Sequence, residues 1–535
     1  MFAGPTTAEV IADSFVAAQV ERVYAYPGDP TIELLEQTQR RGINVVLARR
    51  EGTAGFMAEA EAMASGRLGV CVSTLGPGST ALVNGVAAAT LDRVPMLAIS
   101  GQIETAREQF FTHQVVDHGR LFGPVTKWAG RIEAAAVVTT LRKAMSLANA
   151  ERPGAVHLTI NADTSKKPAQ SEVFELPPLA WAARSVSINA DADPLGMLAG
   201  TRRPVILAGI GAVRAGAGQA LAALSEQIGA PVVVSPMAKG IIREDHPLFA
   251  GVLDMACNQI VWDFLAEADL LVAVGFDAVE LIKPWPLHVP VLHIDALPNT
   301  DQIYASSCEC VGDIGAIASW FVAEWQGEQR WSEAEVGKHR LRLRNAYYSG
   351  RIAGALNPTD VVDVVRTSVP RDALATTDVG SHKLLVGQGW QTYEPRSTLM
   401  TNGLSAMGFG VPAAVASKLA QPARPVVALV GDGGFAMTAT ELRMASAAGL
   451  GIVCVVFVDG SLNRIELKQM AQGYASTATR IEDMNLVTLA EAMNCDGVRV
   501  RSRRELERAL SSVADLSRPL IVEARVDPGQ YQSQF

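Results

Sequence analysis

Short apolar runs alternate with Ala-rich stretches of helical spacing along almost the whole chain. VERVYAYPG (20–28), INVVLA (43–48), LGVCVSTLGPG (68–78), VPMLAISGQ (94–102) and GAVHLTI (154–160) predict buried strands. AEVIADSFVAAQ (8–19), GTAGFMAEAEAMASG (52–66) and STALVNGVAAATLD (79–92) predict the helices between them. Continuous apolar strands separated by helices mean βαβ units and a parallel sheet covered on both faces. The pattern weakens at 166–190, where three prolines among polar residues predict a linker over the surface. A second block follows, with strands RPVILAGIG (203–211), APVVVSPMAKG (230–240), DLLVAVG (269–275) and PVLHIDA (290–296). It fades into the charged helical stretch at 325–355. A third block runs from Asn357 to the end, with strands ALATTDVG (373–380), PVVALVGDGG (425–434), GIVCVVFVDG (451–460) and LIVEARVDP (520–528). The expected architecture is α/β: three doubly wound domains with parallel sheets, at 1–170, 190–340 and 355–535. No short-period repeat is present. The first and third blocks are of similar size, but the sequence does not show them to be related.

Length and composition agree with this picture. A chain of 535 residues favours three domains, and 49% hydrophobic with 19% charged residues is enough to build large cores. With 46 Lys and Arg against 55 Asp and Glu, the net charge of −9 argues against a nucleic-acid partner. The six cysteines never form CxxC, so neither a disulfide framework nor a structural zinc site is indicated; Cys308 and Cys310 form only a lone CxC. The first residues lack the charged and apolar regions of a signal peptide, and no apolar run reaches the ~18 residues of a membrane span. The expectation is a cytoplasmic protein with no membrane partner.

The most informative segment is PVVALVGDGGFAMTATELRMASAAGLGIVCVVFVDGS (425–461). One apolar strand ends in Gly431-Asp432-Gly433-Gly434, and the next ends at Val458-Asp459-Gly460. Ligands of open parallel sheets sit at the carboxyl ends of strands, so Asp432 and Asp459 are placed to converge. Glycines let backbone N–H groups approach an anion, and a helix starting at Phe435 adds a partial positive charge. Two carboxylates beside a phosphate need a cation, and oxygen-only ligands favour Mg²⁺ or Ca²⁺. The residues alone therefore suggest a diphosphate held through a divalent metal. Two other readings stand beside it. GDGGFA also fits a dinucleotide turn with Asp459 as the ribose acid, which would make the protein an NAD-binding oxidoreductase, although Asp432 would put a negative charge inside the pyrophosphate turn. The plainest reading is a tight βα turn without a ligand.

The segment resembles the thiamine-diphosphate motif of thiamine-dependent enzymes, in which GDG is followed about 27 residues after its Asp by a metal-binding Asn. Here that position is Asp459. The resemblance implies thiamine diphosphate and Mg²⁺ as cofactors, with Asp432, Asp459 and the Ser461 backbone carbonyl as metal ligands and Gly431, Gly433 and Gly434 around the diphosphate. It extends over nearly the whole chain, to acetolactate-synthase-like enzymes. ARREGTAGFMAEAEAMASGRLGVCVSTLGPGSTALVNGVAAATLDRVPMLAISGQ (48–102) matches their run of a key Glu, a helix and a Gly-Pro-Gly turn. Glu51 falls at the Glu position, where it would protonate the cofactor pyrimidine at N1′; a carboxylic acid kept protonated needs an apolar pocket. Taken alone, Glu51 would be a helix N-terminal acid complementing the dipole.

TDVGSHKLLVGQGW (377–390) and TNGLSAMGFGVPAA (401–414) match further cofactor segments. The resemblance gives Met407 the role of a wedge under the bent cofactor and the Ser405 carbonyl that of acceptor for its 4′-amino group; without it, Met407 is core. His382 reads equally well as a diphosphate contact or a helix-start histidine. Pro27 and Asn84 are further implied cofactor contacts. Gln114 falls at a substrate-side Gln, and His113 replaces a Phe of the acetolactate synthases. Asp29 departs from them and is similar to the 2-oxo-acid decarboxylases. So the set Asp29, His113 and Glu466 makes a partial proton relay, with Glu466 offset by a residue. In the middle block Arg214 breaks a G-x-G-x-x-G reading, and GFDAVELIKPW (275–285) lacks the Arg of a stretch that touches FAD in acetolactate synthases. A purely structural middle domain is the preferred reading, with FAD the lesser one.

The resemblance thus implies decarboxylation of a 2-oxo acid followed by carboligation to a second carbonyl compound, an aldehyde or another 2-oxo acid. The alternative is a decarboxylase that releases an aldehyde, and a non-catalytic paralogue is a third possibility that an intact Glu51 speaks against. The cofactor would lie between the first domain of one subunit and the third of another, in a homodimer or homotetramer. The C-terminal YQSQF is a candidate lid.

Overall fold

The computed structural model describes residues 4–169, 187–188, 193–511, 513 and 516–535. The linker expected near 166–190 lies largely outside them.

Three sheets are built. The first contains β1 (Arg22–Tyr26), β2 (Asn44–Leu47), β3 (Gly69–Ser73), β4 (Met96–Gln102), β5 (Trp128–Arg131) and β6 (Ala155–Asn161), in the order β2-β1-β3-β4-β6-β5. All its pairings are parallel. The second contains β7 (Ser187–Ile188), β8 (Pro204–Ala208), β9 (Val232–Val234), β10 (Phe249–Val252), β11 (Leu270–Val274), β12 (Val291–Asp295) and β13 (Cys308–Val311), in the order β10-β9-β8-β11-β12-β13-β7. It is parallel except for the two-residue β7 at its edge. The third contains β14 (Leu374–Thr377), β15 (Thr398–Met400), β16 (Val426–Gly431), β17 (Val453–Val458), β18 (Asp496–Val500) and β19 (Leu520–Arg525), in the order β15-β14-β16-β17-β19-β18, all parallel. The α/β class with three sheets follows directly from the alternation in the sequence.

Within the central sheet the side-chain alternation of a strand separates two cores. Val205 and Leu207 of β8 face one of them, Ile206 and Ala208 the other. The first of these cores continues into the third sheet through Val427, Leu429, Val455 and Phe457. The charged stretch after the second block forms the helix Glu333–Tyr347, started by a capping box in which Ser332 and Glu335 satisfy each other's backbone N–H. The CxC pair is strand alternation: Cys308 and Cys310 are the buried residues of β13, and all six cysteines are free and buried.

The chain divides into two compact units. One comprises the first sheet with Gly403–Ala420; the other comprises the second and third sheets. Gly403–Ala420 falls in the third block of the sequence, between β15 and β16, yet it packs in the first unit. Its helix Gly410–Ala420 is buried along most of its length, and Phe409 meets Phe56 of helix Glu51–Ser65 edge to face, with ring centroids 5.8 Å apart. No helix among the described residues is long and apolar enough to cross a membrane.

Candidate cofactor site

In the third sheet the acidic residues meet as the strand ends predict. β16 and β17 are neighbours, with Gly431 opposite Phe457, so the loops after them leave side by side. Asp432 Oδ2 accepts the N–H of Asp459 at 3.2 Å and of Gly460 at 2.9 Å, and Oδ1 accepts that of Gly433 at 2.8 Å. Asp459 Oδ1 accepts Ser461 N–H at 3.1 Å. Burial pushes the Asp432 carboxyl up against the pull of these donors. Burial, then the charge of Asp432, pushes Asp459 up to about 7. The two acids border a cavity of about 300 Å³ that Phe435, Gly460, Met484 and Arg525 also line. Among the described residues no group of three or more His, Cys, Asp or Glu gathers to hold a metal.

The helix after the turn starts at Asp432, three residues before the Phe435 suggested by the sequence, and ends at Thr438. Gly431 is its N-cap, and within the first turn the Asp432 carboxylate receives the otherwise free Gly433 N–H. The turn is closely bounded. A Cβ at Gly431 would lie 2.9 Å from His382 Cε1, and one at Gly434 would run into the Asp378 carboxylate. His382 is the helix-start histidine of one of its two readings, the second residue of helix Ser381–Gly389, and it also walls the glycine turn. It is buried, its Nε2 is 3.0 Å from Asp378 Oδ1, and its ring stacks on Phe457. Sequence reasoning missed Asp378. The signal was present, because Asp378 directly follows β14 as Asp432 follows β16 and Asp459 follows β17.

Ser461 is buried, and its hydroxyl donates to Glu466 Oε2 at 2.5 Å. Glu466 Oε1 meets Arg480 at 2.7 Å. The Ser461 hydroxyl holds the Glu466 carboxyl below its ordinary range. The same loop is tied to 479–481 by Leu462 N–H to Thr479 O at 2.7 Å and Ile481 N–H to Gly460 O at 2.9 Å.

In the first unit two of the residues named from the sequence, Glu51 and Gln114, lie against the Gly76-Pro77-Gly78 turn after β3. Glu51 begins helix Glu51–Ser65, half-buried, and a Cβ at Gly78 would sit 2.9 Å from its Oε1. A Cβ at Gly76, whose φ is +49°, would sit 2.6 Å from Gln114 O. Gly28, after β1, lies against Thr74, with no space for a side chain. Pro27 and Asp29 flank it, both exposed. His113 and Gln114 are exposed as well, and the His113 ring meets Phe111 edge to face. Asn84 lies exposed about two turns into helix Pro77–Leu91. Ser405 adopts a φ of +54° and Met407 is half-buried, both in the segment that packs with this unit. Thr74 and Gly78 are the contacts that sequence reasoning did not single out; the Gly-Pro-Gly signature pointed to their turn.

Parallel sheets whose carboxyl ends carry glycine-bounded turns and convergent acids define a cofactor enzyme of the doubly wound kind. Comparison with known proteins makes this specific. Residues 5–121 match the N-terminal TPP binding domain of thiamine pyrophosphate enzymes, 193–320 the central domain and 378–524 the C-terminal TPP binding domain. The chain belongs to the thiamine pyrophosphate enzyme family. A probable acetolactate synthase large subunit of Methanocaldococcus jannaschii is 28% identical over 98% of this chain and 92% of its own length. An acetolactate synthase of Bacillus subtilis is 26% identical over 97% of this chain and 93% of its own length. A probable 2-ketoarginine decarboxylase of Pseudomonas aeruginosa is 30% identical, over 95% and 91%. The protein is thus an acetolactate-synthase-like, thiamine-diphosphate-dependent enzyme.

Proposed function

We propose that the enzyme decarboxylates a 2-oxo acid and joins the remaining acyl unit to a second carbonyl compound. The observation that carries ligation over aldehyde release is the state of Glu466. A releasing enzyme needs an acid that returns a proton to carbon. Glu466 is instead held in its ionised form by the Ser461 hydroxyl and paired with Arg480. It braces the metal loop and is a poor proton donor. The releasing decarboxylase remains the second reading, because Asp29 and His113 stand exposed at strand ends where a relay would use them. The dinucleotide reading of the 431–459 segment gives way because residues 378–524 match a TPP binding domain.

Asp432, Asp459 and the Ser461 carbonyl are the residues to hold Mg²⁺. Two half-buried carboxylates, both raised by desolvation and Asp459 also by the charge of Asp432, are what a small dication would relieve, and the oxygen-only set suits it. Gly431, Gly433 and Gly434, with His382 behind them, bound the space for the diphosphate. Thiamine diphosphate, when bound, supplies a carbanion nucleophile and an electron sink for the departing carboxylate. Glu51 holds a proton toward pyrimidine N1′, and the Ser405 carbonyl receives the 4′-amino group. Met407 shapes the apolar floor, with Pro27 and Asn84 as flanking contacts. Gln114, Asp29 and His113 face the substrate side. A homodimer or homotetramer, with each cofactor between the first sheet of one subunit and the third sheet of its partner, completes the reading. Exposed apolar residues accompany both sets: Tyr26, Ile32 and Leu47 in the first unit, and Ile465, Tyr474 and Met484 in the second.

The test is product analysis of purified enzyme with thiamine diphosphate, Mg²⁺ and a panel of 2-oxo acids, with and without aldehyde acceptors. A 2-hydroxy ketone or 2-hydroxy-2-alkyl-3-oxo acid as main product is expected. Free aldehyde as the sole product under every condition would sink ligation and leave the second reading.

A further inference from the structure

The order β10-β9-β8-β11-β12-β13 turns back at β8, so the crevice between the carboxyl ends of β8 and β11 is where an open α/β sheet takes a dinucleotide. FAD is the ligand that the family resemblance offers for this domain. A pyrophosphate in such a crevice is held by free backbone N–H groups of the glycine turn after the first strand. In this chain those groups are already used. Gly209 N–H donates to Val274 O at 2.9 Å and Gly211 N–H to Gly275 O at 2.8 Å. Ile210 N–H donates to Glu280 Oε1 at 2.9 Å. The Ser235 hydroxyl, after β9, donates to the same oxygen, and Asp277 N–H, after β11, donates to Oε2 at 2.8 Å. One fully buried carboxyl group therefore ties together the ends of β8, β9 and β11. The space is gone as well. A Cβ at Gly211 would lie 2.8 Å from Gly275 O, and one at Gly209 would lie 2.5 Å from that oxygen and run into Glu280.

We propose that Glu280 closes the dinucleotide crevice of the central domain, so that this enzyme works without FAD or another nucleotide there. The side chain makes from inside the contacts that a diphosphate would make from outside, and the sheet is finished without a ligand. Burial, opposed by the two N–H groups and Ser235, holds the Glu280 carboxyl up at about 8, and Gln would keep the size of the side chain and so still fill the crevice.

The experiment reads ligand binding, so it is independent of turnover. Purified wild-type enzyme is expected to show no flavin absorbance and no saturable heat with FAD or ADP up to about 1 mM. Stoichiometric flavin, or saturable binding of either ligand at one site per chain, would overturn the proposal. Glu280→Ala opens the crevice, and ADP is expected to raise its thermal midpoint by a few degrees while leaving that of the wild type in place. A folded alanine variant with no response to ADP would remove Glu280 as the closing group. If that variant does not fold, the wild type and Glu280→Gln decide. Both are expected to ignore FAD and ADP, and binding to either overturns the assignment.

Discussion

The first and third sheets have the same strand order. β2-β1-β3-β4-β6-β5 and β15-β14-β16-β17-β19-β18 are one pattern written twice. Each also brings the loop after its first strand against the turn after its third, and in both the closest approach needs a glycine: Gly28 on Thr74, and Gly434 on Asp378. The chemistry at these matching ends differs. The third sheet sets an aspartate after each of β14, β16 and β17. The first sheet has neutral residues after β1 and β3, apart from the exposed Asp29, and its half-buried acid, Glu51, follows β2. On the proposed roles, one scaffold would support two tasks. Clustered carboxylates suit anchoring an anion through a cation, whereas a single acid beside a glycine turn suits holding one proton.

The largest expected effect separates these tasks. Asp432→Ala removes a proposed metal ligand and the acceptor of three loop N–H groups. Calorimetry should find thiamine diphosphate binding with Mg²⁺ weakened at least ~100-fold. Glu51→Gln should keep that binding within a few-fold while kcat falls by ~10²–10⁴. Equal loss of binding in both variants would break the division of labour between the sheets.

The sequence made the interior of each sheet readable except for β13, and of the edge strands it showed only β2. All the strands inside the first and third sheets were found, because strands buried on both faces are continuous apolar runs. The strands not seen were β5, β7, β10, β13, β15 and β18. Five of them are edge strands and β13 is next to an edge. DGVRV and WAGR carry polar or small residues because one side of an edge strand needs no partner. The shared strand order was illegible for another reason: topology fixes which strands neighbour each other but asks for no common side chains. At the site, motif spacing located Asp432, Asp459 and the Gly-Pro-Gly turn. It could not reveal the bracing by Asp378 or the Ser461–Glu466–Arg480 tie, which depend on contacts between loops.

A smaller effect tests whether the two glycine contacts are equivalent. Gly434→Ala forces a methyl group into a buried carboxylate that also holds His382. Gly28→Ala meets a threonine side chain beside an exposed loop. Overpacking of this kind costs ~1–3 kcal/mol, and the larger cost is expected at Gly434. Urea unfolding of both variants measures it, and a greater loss at Gly28 would reverse the ranking of the two turns.

The smallest effect concerns the strand that is fifth in each order. β19 carries the buried Glu523, paired with Arg499 at 2.6 Å and Arg525 at 2.5 Å. β6 carries His157, 2.8 Å from Ser100 Oγ, with the His118 ring packed edge to face against it and His118 Nδ1 3.0 Å from Thr159 Oγ1. Burial lowers His118 to about 4 and also takes His157 well below its ordinary value. Both histidines are therefore neutral in the folded protein and accept protons more readily when it unfolds. Their contribution is fully present above pH ~6.5 and is lost as pH falls toward 4. The first unit should lose on the order of 1 kcal/mol through His118 between about pH 6.5 and 5.5, and His118→Gln should remove part of the slope. Urea unfolding of wild type and variant at pH 7, 5.5 and 4.5 gives the comparison. Parallel pH profiles for the two proteins would mean that His118 is as easily protonated in the fold as outside it, and the contrast between a neutral β6 and an ion-paired β19 would fall.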